Sequence, residues 1–113
     1  MKLVFYERLN KTKPFKEWLF DQEKVLRLKV TAKLKLLEYE NFQNVRNLKD
    51  GAFEKKFKDG TRIYFAEHKN TYIILLYGGN KDKQQRDIDK AKEYAKDFYN
   101  RYQDIENPKL EEF

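Results

Sequence analysis

Apolar residues along this chain follow two spacings, one typical of helices and one typical of strands. Residues 2–6 are short and β-prone, which predicts an opening strand. Pro14 suits the first position of a helix, in which Phe15, Trp18 and Leu19 form one apolar stripe. A longer helix is predicted over residues 22–39. Its expected buried face consists of Val25, Leu28, Ala32, Leu36 and Tyr39, widened by Leu26, Val30, Leu34 and Leu37.

The second half of the chain predicts three strands, over residues 52–58, 61–68 and 71–77. Tight-turn signals at Asp59-Gly60 and Lys69-Asn70 separate them, so they are expected to form consecutive hairpins. The last of the three is apolar on both faces, as a central strand is. A polar connector, residues 41–48, precedes them and holds a candidate short strand around Val45.

An amphipathic helix is predicted over residues 83–102. Its apolar side consists of Ile88, Ala91, Tyr94, Ala95, Phe98, Tyr99 and Tyr102. The predicted order is therefore β-α-α-β-β-β-α, which indicates an α+β fold with an antiparallel sheet packed against helices.

The composition of the chain excludes several kinds of functional site. The chain of 113 residues has the size of one domain, and its 40% hydrophobic content is typical of a folded protein. With no cysteine there is neither a disulfide nor a thiolate, and one histidine excludes a histidine-based metal cluster. We therefore expect no metal and no cofactor. No apolar run approaches membrane-spanning length and the start of the chain turns charged early, so a cytoplasmic protein without a membrane partner is expected.

Charge is unevenly distributed. Residues 103–113 hold one lysine and four acidic residues, a net charge of −3, so residues 1–102 carry +9 against +6 for the whole chain. A basic body of this kind attracts polyanions such as RNA, DNA or an acidic protein, although many basic domains bind none of these. We interpret residues 1–102 as a single domain and residues 103–113 as an acidic C-terminal tail, expected to be flexible.

The connection after the last strand is the most informative local pattern. Gly78-Gly79 ends the apolar run, and Asp82 with Gln85 predicts a capping box that opens the final helix. Backbone amides in the first turn of a helix, beside Lys81, Lys83 and Arg86, can hold an anion such as a phosphate. By itself the pattern also fits an ordinary strand-to-helix connection with solvated charges.

Three motifs in this order resemble the RelE/HigB/ParE superfamily of bacterial toxins, and in particular its addiction-module killer proteins related to phage-derived HigB-like proteins. Asn41-Phe42, Val45-Arg46, Leu48, Gly51 and Phe53-Glu54-Lys55-Lys56 are similar to the family's NFGDVK…G…ELR. Gly60-Thr61-Arg62-Ile63-Tyr64-Phe65 is similar to GYRVYF. Residues 75–91, LLYGGNKDKQQRDIDKA, are similar to LLxGGDKxxQxxDIxxA. Together the motifs cover about half of the chain.

This resemblance implies a RelE-like fold and the toxin of a type II toxin-antitoxin system, neutralised by a cognate antitoxin that often carries a helix-turn-helix. Many relatives are metal-independent endoribonucleases that cleave mRNA, several of them on the ribosome, and thereby inhibit translation. ParE relatives act on DNA gyrase instead. A fold does not choose between such activities, so a protein-directed toxin and an attenuated module that only binds its antitoxin remain alternatives.

The resemblance also implies site residues. RNA cleavage by transesterification needs proton transfer and neutralisation of the phosphorane, which cationic side chains can supply. Arg62 matches the arginine that contacts the scissile phosphate in RNA-cleaving relatives, and Lys81 matches the lysine of GGDK. Lys56 stands where the family has the arginine of ELR, which keeps the charge but loses bidentate geometry. These three are the candidate catalytic residues.

The candidate RNA-binding residues are Lys55, Lys83, Arg86 and Tyr64. Tyr64 shares the predicted face of Arg62 and could stack on a base, although packing in the core or at its rim is the alternative. Glu54 is a candidate general base or a salt-bridge partner of Arg62 or Lys56. His68, the single histidine, is expected at the surface.

Overall fold

A computed structural model describes all 113 residues. In chain order the elements are β1 (Lys2–Phe5), α1 (Pro14–Phe20), α2 (Lys24–Glu38), β2 (Val45–Lys49), β3 (Ala52–Lys56), β4 (Arg62–His68), β5 (Tyr72–Gly79) and α3 (Gln84–Tyr102), with a 3₁₀ turn at Lys81–Lys83 before α3. The fold is α+β, as the hydrophobic pattern predicted. The candidate strand around Val45 is the full strand β2, so the sheet has one strand more than the predicted order.

The five strands form one sheet in the order β1-β5-β4-β3-β2. Strands β2 to β5 are antiparallel neighbours, but β1 pairs parallel to β5, with Lys2 opposite Tyr72. The expected antiparallel sheet is therefore wrong in this one pairing, and the sheet is mixed. Because β5 is apolar on both faces it lies inside the sheet, and β1 provides the backbone partners for the edge of β5 that faces away from β4.

The two faces of the sheet carry separate cores. Tyr64, Ala66, Ile74 and Leu76 face α3, where they meet side chains such as Phe98. Ile63, Phe65, Ile73 and Leu75 face the other way and pack against α1 and α2. The predicted alternation along β4 is thus confirmed.

Helix α2 buries only part of the face that was expected, namely residues that were predicted to widen it. Val30, Leu34 and Leu37 are fully buried, whereas Val25, Leu28, Leu36 and Tyr39 are exposed, with Tyr39 79% accessible. Both sets recur at helical spacing, so periodicity alone could not separate them. Val30, Leu34 and Leu37 pack in the core on this face of the sheet, and the other stripe faces solvent.

The start of α3 also differs in detail from the capping-box prediction. The Asn80 side chain accepts a hydrogen bond of 3.0 Å from the Asp82 backbone amide, so Asn80 caps the 3₁₀ turn that leads into α3. Because this turn occupies Lys81–Lys83, helix α3 begins at Gln84 and Asp82 is not its cap.

Residues 103–113 are not the flexible tail that their charge suggested. Glu112 pairs antiparallel with Val4, Pro108 is buried, and the backbone carbonyl of Ile105 contacts His68 Nε2 at 2.6 Å. This contact and the rings of Phe98 and Tyr72 bury His68, which was expected at the surface. The segment is held because it satisfies the free edge of β1. No helix is both long and apolar enough to cross a membrane.

Candidate functional site

Three motif residues that are far apart in the sequence occupy one row of the sheet. Lys56 of β3 lies opposite Arg62 of β4, and Arg62 lies opposite Gly79 of β5. The tight turn at Asp59-Gly60 returns the chain so that β3 ends beside the start of β4. We call Lys56, Arg62 and Gly79 the motif row. It lies at the end of the sheet where α3 begins.

Arg62 is the centre of the row, and its guanidinium is mostly covered. The side chain is only 7% accessible, Nη1 donates a 2.8 Å hydrogen bond to the Gly60 carbonyl, and Nε lies 3.6 Å from Glu54 Oε2. Nε is buried and makes no hydrogen bond. A guanidinium has five donors, so Arg62 keeps donor capacity that the chain itself does not use.

Glu54 is a salt-bridge partner in this structure. Its buried carboxylate accepts a 3.1 Å hydrogen bond from Arg46 Nη2 and a 3.0 Å hydrogen bond from Gln84 Nε2, in addition to the charge contact with Arg62. Of the two roles left open by the sequence, the contacts match the structural one. A carboxylate with two guanidiniums and an amide around it orients those groups.

Tyr64 lies in the next row, directly opposite Glu54, and is fully buried. Its hydroxyl has no hydrogen-bond partner, and burial, together with the nearby charge of Glu54, raises the pKa of the phenol. The predicted base-stacking role is therefore wrong for this structure, because the ring is covered by α3. Tyr64 packs in the core between the sheet and α3, which is the alternative that the sequence left open.

Gly79 is required where the row meets α3. A Cβ added to Gly79 would lie 2.0 Å from Asp87 Oδ2, so any side chain there would collide with the first turns of α3. Asp87 is 1% accessible, and its pKa is raised by burial, against the opposing effect of the Arg86 guanidinium at 3.2 Å. The glycine thus allows a buried carboxylate to sit directly against the end of β5.

Lys81 reaches the same place from the turn after β5. Its Cγ and Cδ atoms lie within 3.7 Å of the position that a Cβ on Gly60 would occupy, and the Gly60 carbonyl accepts the hydrogen bond from Arg62. Arg62 and Lys81 are therefore neighbours on one side of the molecule. Gly60 has a φ of +95°, a conformation that favours glycine, so the turn between β3 and β4 depends on this residue type.

The remaining candidate cations divide between this site and the opposite face. Lys56, Lys81, Lys83 and Arg86 are exposed around the start of α3. Lys55 does not join them. Its side chain points to the α2 face, where Nζ donates a 2.8 Å hydrogen bond to the Gln43 carbonyl and burial lowers its pKa, helped by Lys33. Alternation along β3 separates neighbouring lysines, which makes Lys55 wrong as a member of the same surface.

Sequence reasoning missed three contributors: Arg46, Gln84 and Asp87. Arg46 lies opposite Glu54 across the β2–β3 hairpin, a pairing that follows once the connector is interpreted as a strand. Gln84 and Asp87 are three residues apart at the start of α3, where both side chains face the sheet. Helical spacing was the available signal for that pair.

No protein-family model matches this chain. It is similar to an uncharacterized protein of Haemophilus influenzae, with 31% identity over 94 residues that span 80% of this chain and 95% of the relative. At this identity and coverage the chain belongs to the same family as that Haemophilus protein.

Proposed function

We propose that this member of the Haemophilus protein's family is a RelE-like toxin of a type II toxin-antitoxin system, an endoribonuclease that cleaves mRNA on the ribosome. The observation that carries the proposal is the motif row. Residues from three separate motifs that resemble the RelE/HigB/ParE superfamily converge on one buried guanidinium with unused donor capacity.

Charge and position support RNA as the ligand. The rim of the site carries the exposed cations Lys56, Lys81, Lys83 and Arg86, and the floor carries Arg62. Phosphate groups are bound by clustered lysine and arginine side chains, and a guanidinium matches the geometry of two phosphate oxygens. A ribonucleotide linkage would lie with its phosphate over Arg62, between Lys56 and Lys81.

The proposed reaction is attack of a ribose 2′-OH on the adjacent phosphorus, which gives a 2′,3′-cyclic phosphate and releases the 5′-oxygen as a hydroxyl group. Water would take up the proton of the 2′-OH and supply the proton of the departing oxygen. Arg62 and Lys56 would stabilise the negative charge that develops on the pentacoordinate phosphorus, and Lys81 would contact the phosphate or the departing oxygen. Glu54 would hold the Arg62 guanidinium in place through the 3.6 Å contact rather than act as the base. The chemistry then needs cations supplied by side chains, and no metal or cofactor.

The decisive experiment measures cleavage of a reporter mRNA on purified translating ribosomes by primer extension. We expect wild-type protein to cut the message, and Arg62→Lys, which keeps the charge and loses the fork of donors, to slow cleavage by roughly 10²-fold or more. Lys81→Ala and Lys56→Ala should each slow it by a smaller factor. Lys58→Ala is the matched control, because Lys58 is an exposed lysine two residues from Lys56 and makes no ion pair.

Intact message with wild-type protein, under conditions in which circular dichroism shows it folded, would overturn the ribonuclease proposal. Equal losses from Lys58→Ala and Lys81→Ala would instead indicate nonspecific charge effects.

One observation favours a second candidate. Arg62 is only 6% accessible and is engaged with Glu54 and Gly60, so its charge is largely used inside the protein. This burial also fits an attenuated toxin, or one that acts on a protein such as DNA gyrase, because a covered guanidinium has little surface to offer to a phosphate. Gyrase supercoiling assays, run beside the primer-extension assay, separate the protein-directed activity from RNA cleavage.

The cognate antitoxin is the expected partner under either candidate, and a helix-turn-helix protein encoded beside this gene is the form expected from the resemblance. Its expected contact segment is acidic, because residues 1–102 carry +9. Growth arrest on expression, reversed by co-expression of the adjacent gene, tests the pairing.

A further inference from the structure

The outer edge of β1 is the one end of the sheet that another segment of the chain covers. β1 is the terminal strand of the sheet, with β5 on its inner side. On its outer side the Phe5 amide donates a 2.8 Å hydrogen bond to the Glu111 carbonyl, and the Phe113 amide donates a 2.9 Å hydrogen bond to the Leu3 carbonyl. Residues 111–113, which we call the edge segment, therefore act as a short added strand.

Side chains of the edge segment meet complementary groups. The Glu111 carboxylate contacts Lys13 Nζ at 2.8 Å and Lys16 Nζ at 2.9 Å, and Glu112 contacts Lys2 Nζ at 3.1 Å. The Phe113 ring packs edge-on against Phe5, with a centroid distance of 5.7 Å. The edge of β1 thus selects an acidic strand followed by an aromatic residue.

These contacts hold the edge segment weakly. All three of its residues are exposed, and the lysine–glutamate pairs are open to solvent, with Lys2 and Glu112 each more than 60% accessible. Exposed ion pairs contribute about 1 kcal/mol or less each. Only two backbone hydrogen bonds and one bridge pair tie the segment to β1. A strand held in this way can exchange with another strand of similar chemistry.

The edge segment does not fill the groove beside it. A hollow of about 460 Å³ continues from Phe5 and Phe113 along α1 and α2. Its walls include Phe20 and Leu28, which are 60% and 61% exposed, and its rim carries Lys24 and Arg27, which form no salt bridge. A longer acidic segment with a second apolar side chain would fill this space and pair these cations.

We propose that the edge of β1 is a binding site for an extended acidic segment of a partner protein, which adds a strand to the sheet in place of residues 111–113. The edge segment is the intramolecular occupant of that site. Main-chain hydrogen bonds supply the affinity, and Lys13, Lys16 and the Phe5 ring supply the preference for acidic and aromatic side chains. This inference does not depend on the proposed ribonuclease activity, because the contacts concern a different edge of the sheet.

The test uses the full chain and a fluorescein-labelled peptide with the sequence of residues 107–113, NPKLEEF. In the Glu111→Lys variant the edge segment is repelled by Lys13 and Lys16, so the site opens. Glu106→Lys is the matched control, because it makes the same charge change at an exposed residue that forms no ion pair. Fluorescence anisotropy should show at least a 10-fold tighter peptide complex with Glu111→Lys than with Glu106→Lys, because an attached segment competes at an effective concentration on the order of millimolar.

Amide hydrogen exchange provides a second measurement of site opening, which would show no change if the edge segment were only a fixed part of the structure. The Phe5 amide, which donates to Glu111, should lose protection in Glu111→Lys and regain it when the peptide is added. Phe113→Ala should open the site in the same direction, which provides a second route if Glu111→Lys folds poorly.

A charge exchange tests recognition directly. With Lys13→Glu and Lys16→Glu introduced into the Glu111→Lys chain, the attached segment should close again and exclude the acidic peptide. Equal peptide affinities for Glu111→Lys and Glu106→Lys would overturn the proposal, as would a peptide affinity that the charge exchange leaves unchanged. Residues 111–113 would then be a fixed part of the fold.

Discussion

Replacing Glu54 by glutamine tests whether the carboxylate beneath Arg62 holds the candidate site together. The side chains of Arg62 and Glu54 are 7% and 4% accessible, so Glu54→Gln leaves a guanidinium buried without its counter-charge. Removing one partner of a buried pair costs about 3–5 kcal/mol. Since Arg46, the other guanidinium on Glu54, is 59% accessible and can turn to solvent, we expect a loss near the lower limit, about 3 kcal/mol.

Urea unfolding followed by circular dichroism measures this loss as a lower transition midpoint at an unchanged slope. In a thermal scan the same change corresponds to a decrease in Tm of roughly 10 to 20 °C for a domain of this size. Glu93→Gln is the matched control, because Glu93 is exposed and forms no ion pair. It should stay within about 0.5 kcal/mol of wild type.

A double substitution separates the effect of the Arg62–Glu54 charge pair from the effect of side-chain volume at the site. Replacing a buried pair by apolar residues of similar volume is often neutral, so Glu54→Leu combined with Arg62→Met should return to within about 1 kcal/mol of wild type. Under the proposed function it should also lack RNA cleavage, since the guanidinium proposed to bind the phosphate is gone. If Glu54→Gln unfolds at the same urea concentration as wild type, Arg62 is not held by a buried carboxylate and the positioning argument fails.

Three further substitutions test residues that lie beside Arg62 and at the start of α3. Gly79→Ala places a Cβ 2.0 Å from Asp87 Oδ2, so we expect a stability loss of roughly 1–3 kcal/mol in urea; an unchanged midpoint would contradict the close contact. Tyr64→Phe removes a buried hydroxyl without a partner and should stabilise the protein by about 1 kcal/mol, whereas destabilisation would reveal a partner for that hydroxyl. Because burial raises the pKa of Asp87 above its ordinary 3.8, the folded state keeps this proton to higher pH than the unfolded state does, and the contribution of Asp87 to stability falls as pH rises above about 4. Asp87→Asn should remove this dependence, so stability curves of the two proteins that stay parallel between pH 4 and pH 7 would refute it.

Sequence patterns predicted most helices and strands, because these elements depend on residues that are close together in the chain. Alternation along residues 61–68 predicted which side chains of β4 share a face, and the turn signals at Asp59-Gly60 and Lys69-Asn70 predicted the hairpins. The same alternation placed Arg62 on the face that carries the site, and the hairpins made its alignment with Lys56 deducible.

The predictions that were wrong concern contacts between residues far apart in the chain. The stripe of Val25, Leu28, Leu36 and Tyr39 has helical periodicity but faces solvent, because the side that packs is decided by the sheet and not by α2. Parallel pairing of β1 with β5 and the docking of residues 111–113 likewise join segments far apart in the chain. The burial of Tyr64 needed the position of α3, which covers it, whereas the split between Lys55 and Lys56 follows from strand alternation and was available from the sequence.

The pairing of β1 with β5 has a consequence for synthesis. Strand β1 is among the first residues to leave the ribosome, but its partner begins at Tyr72, and contacts of such long sequence separation form slowly. Until that pairing occurs β5 lacks its outer neighbour, and the sheet on which α3 packs is incomplete. A nascent chain therefore completes the motif row and the surface that α3 covers only after most of its residues have been translated.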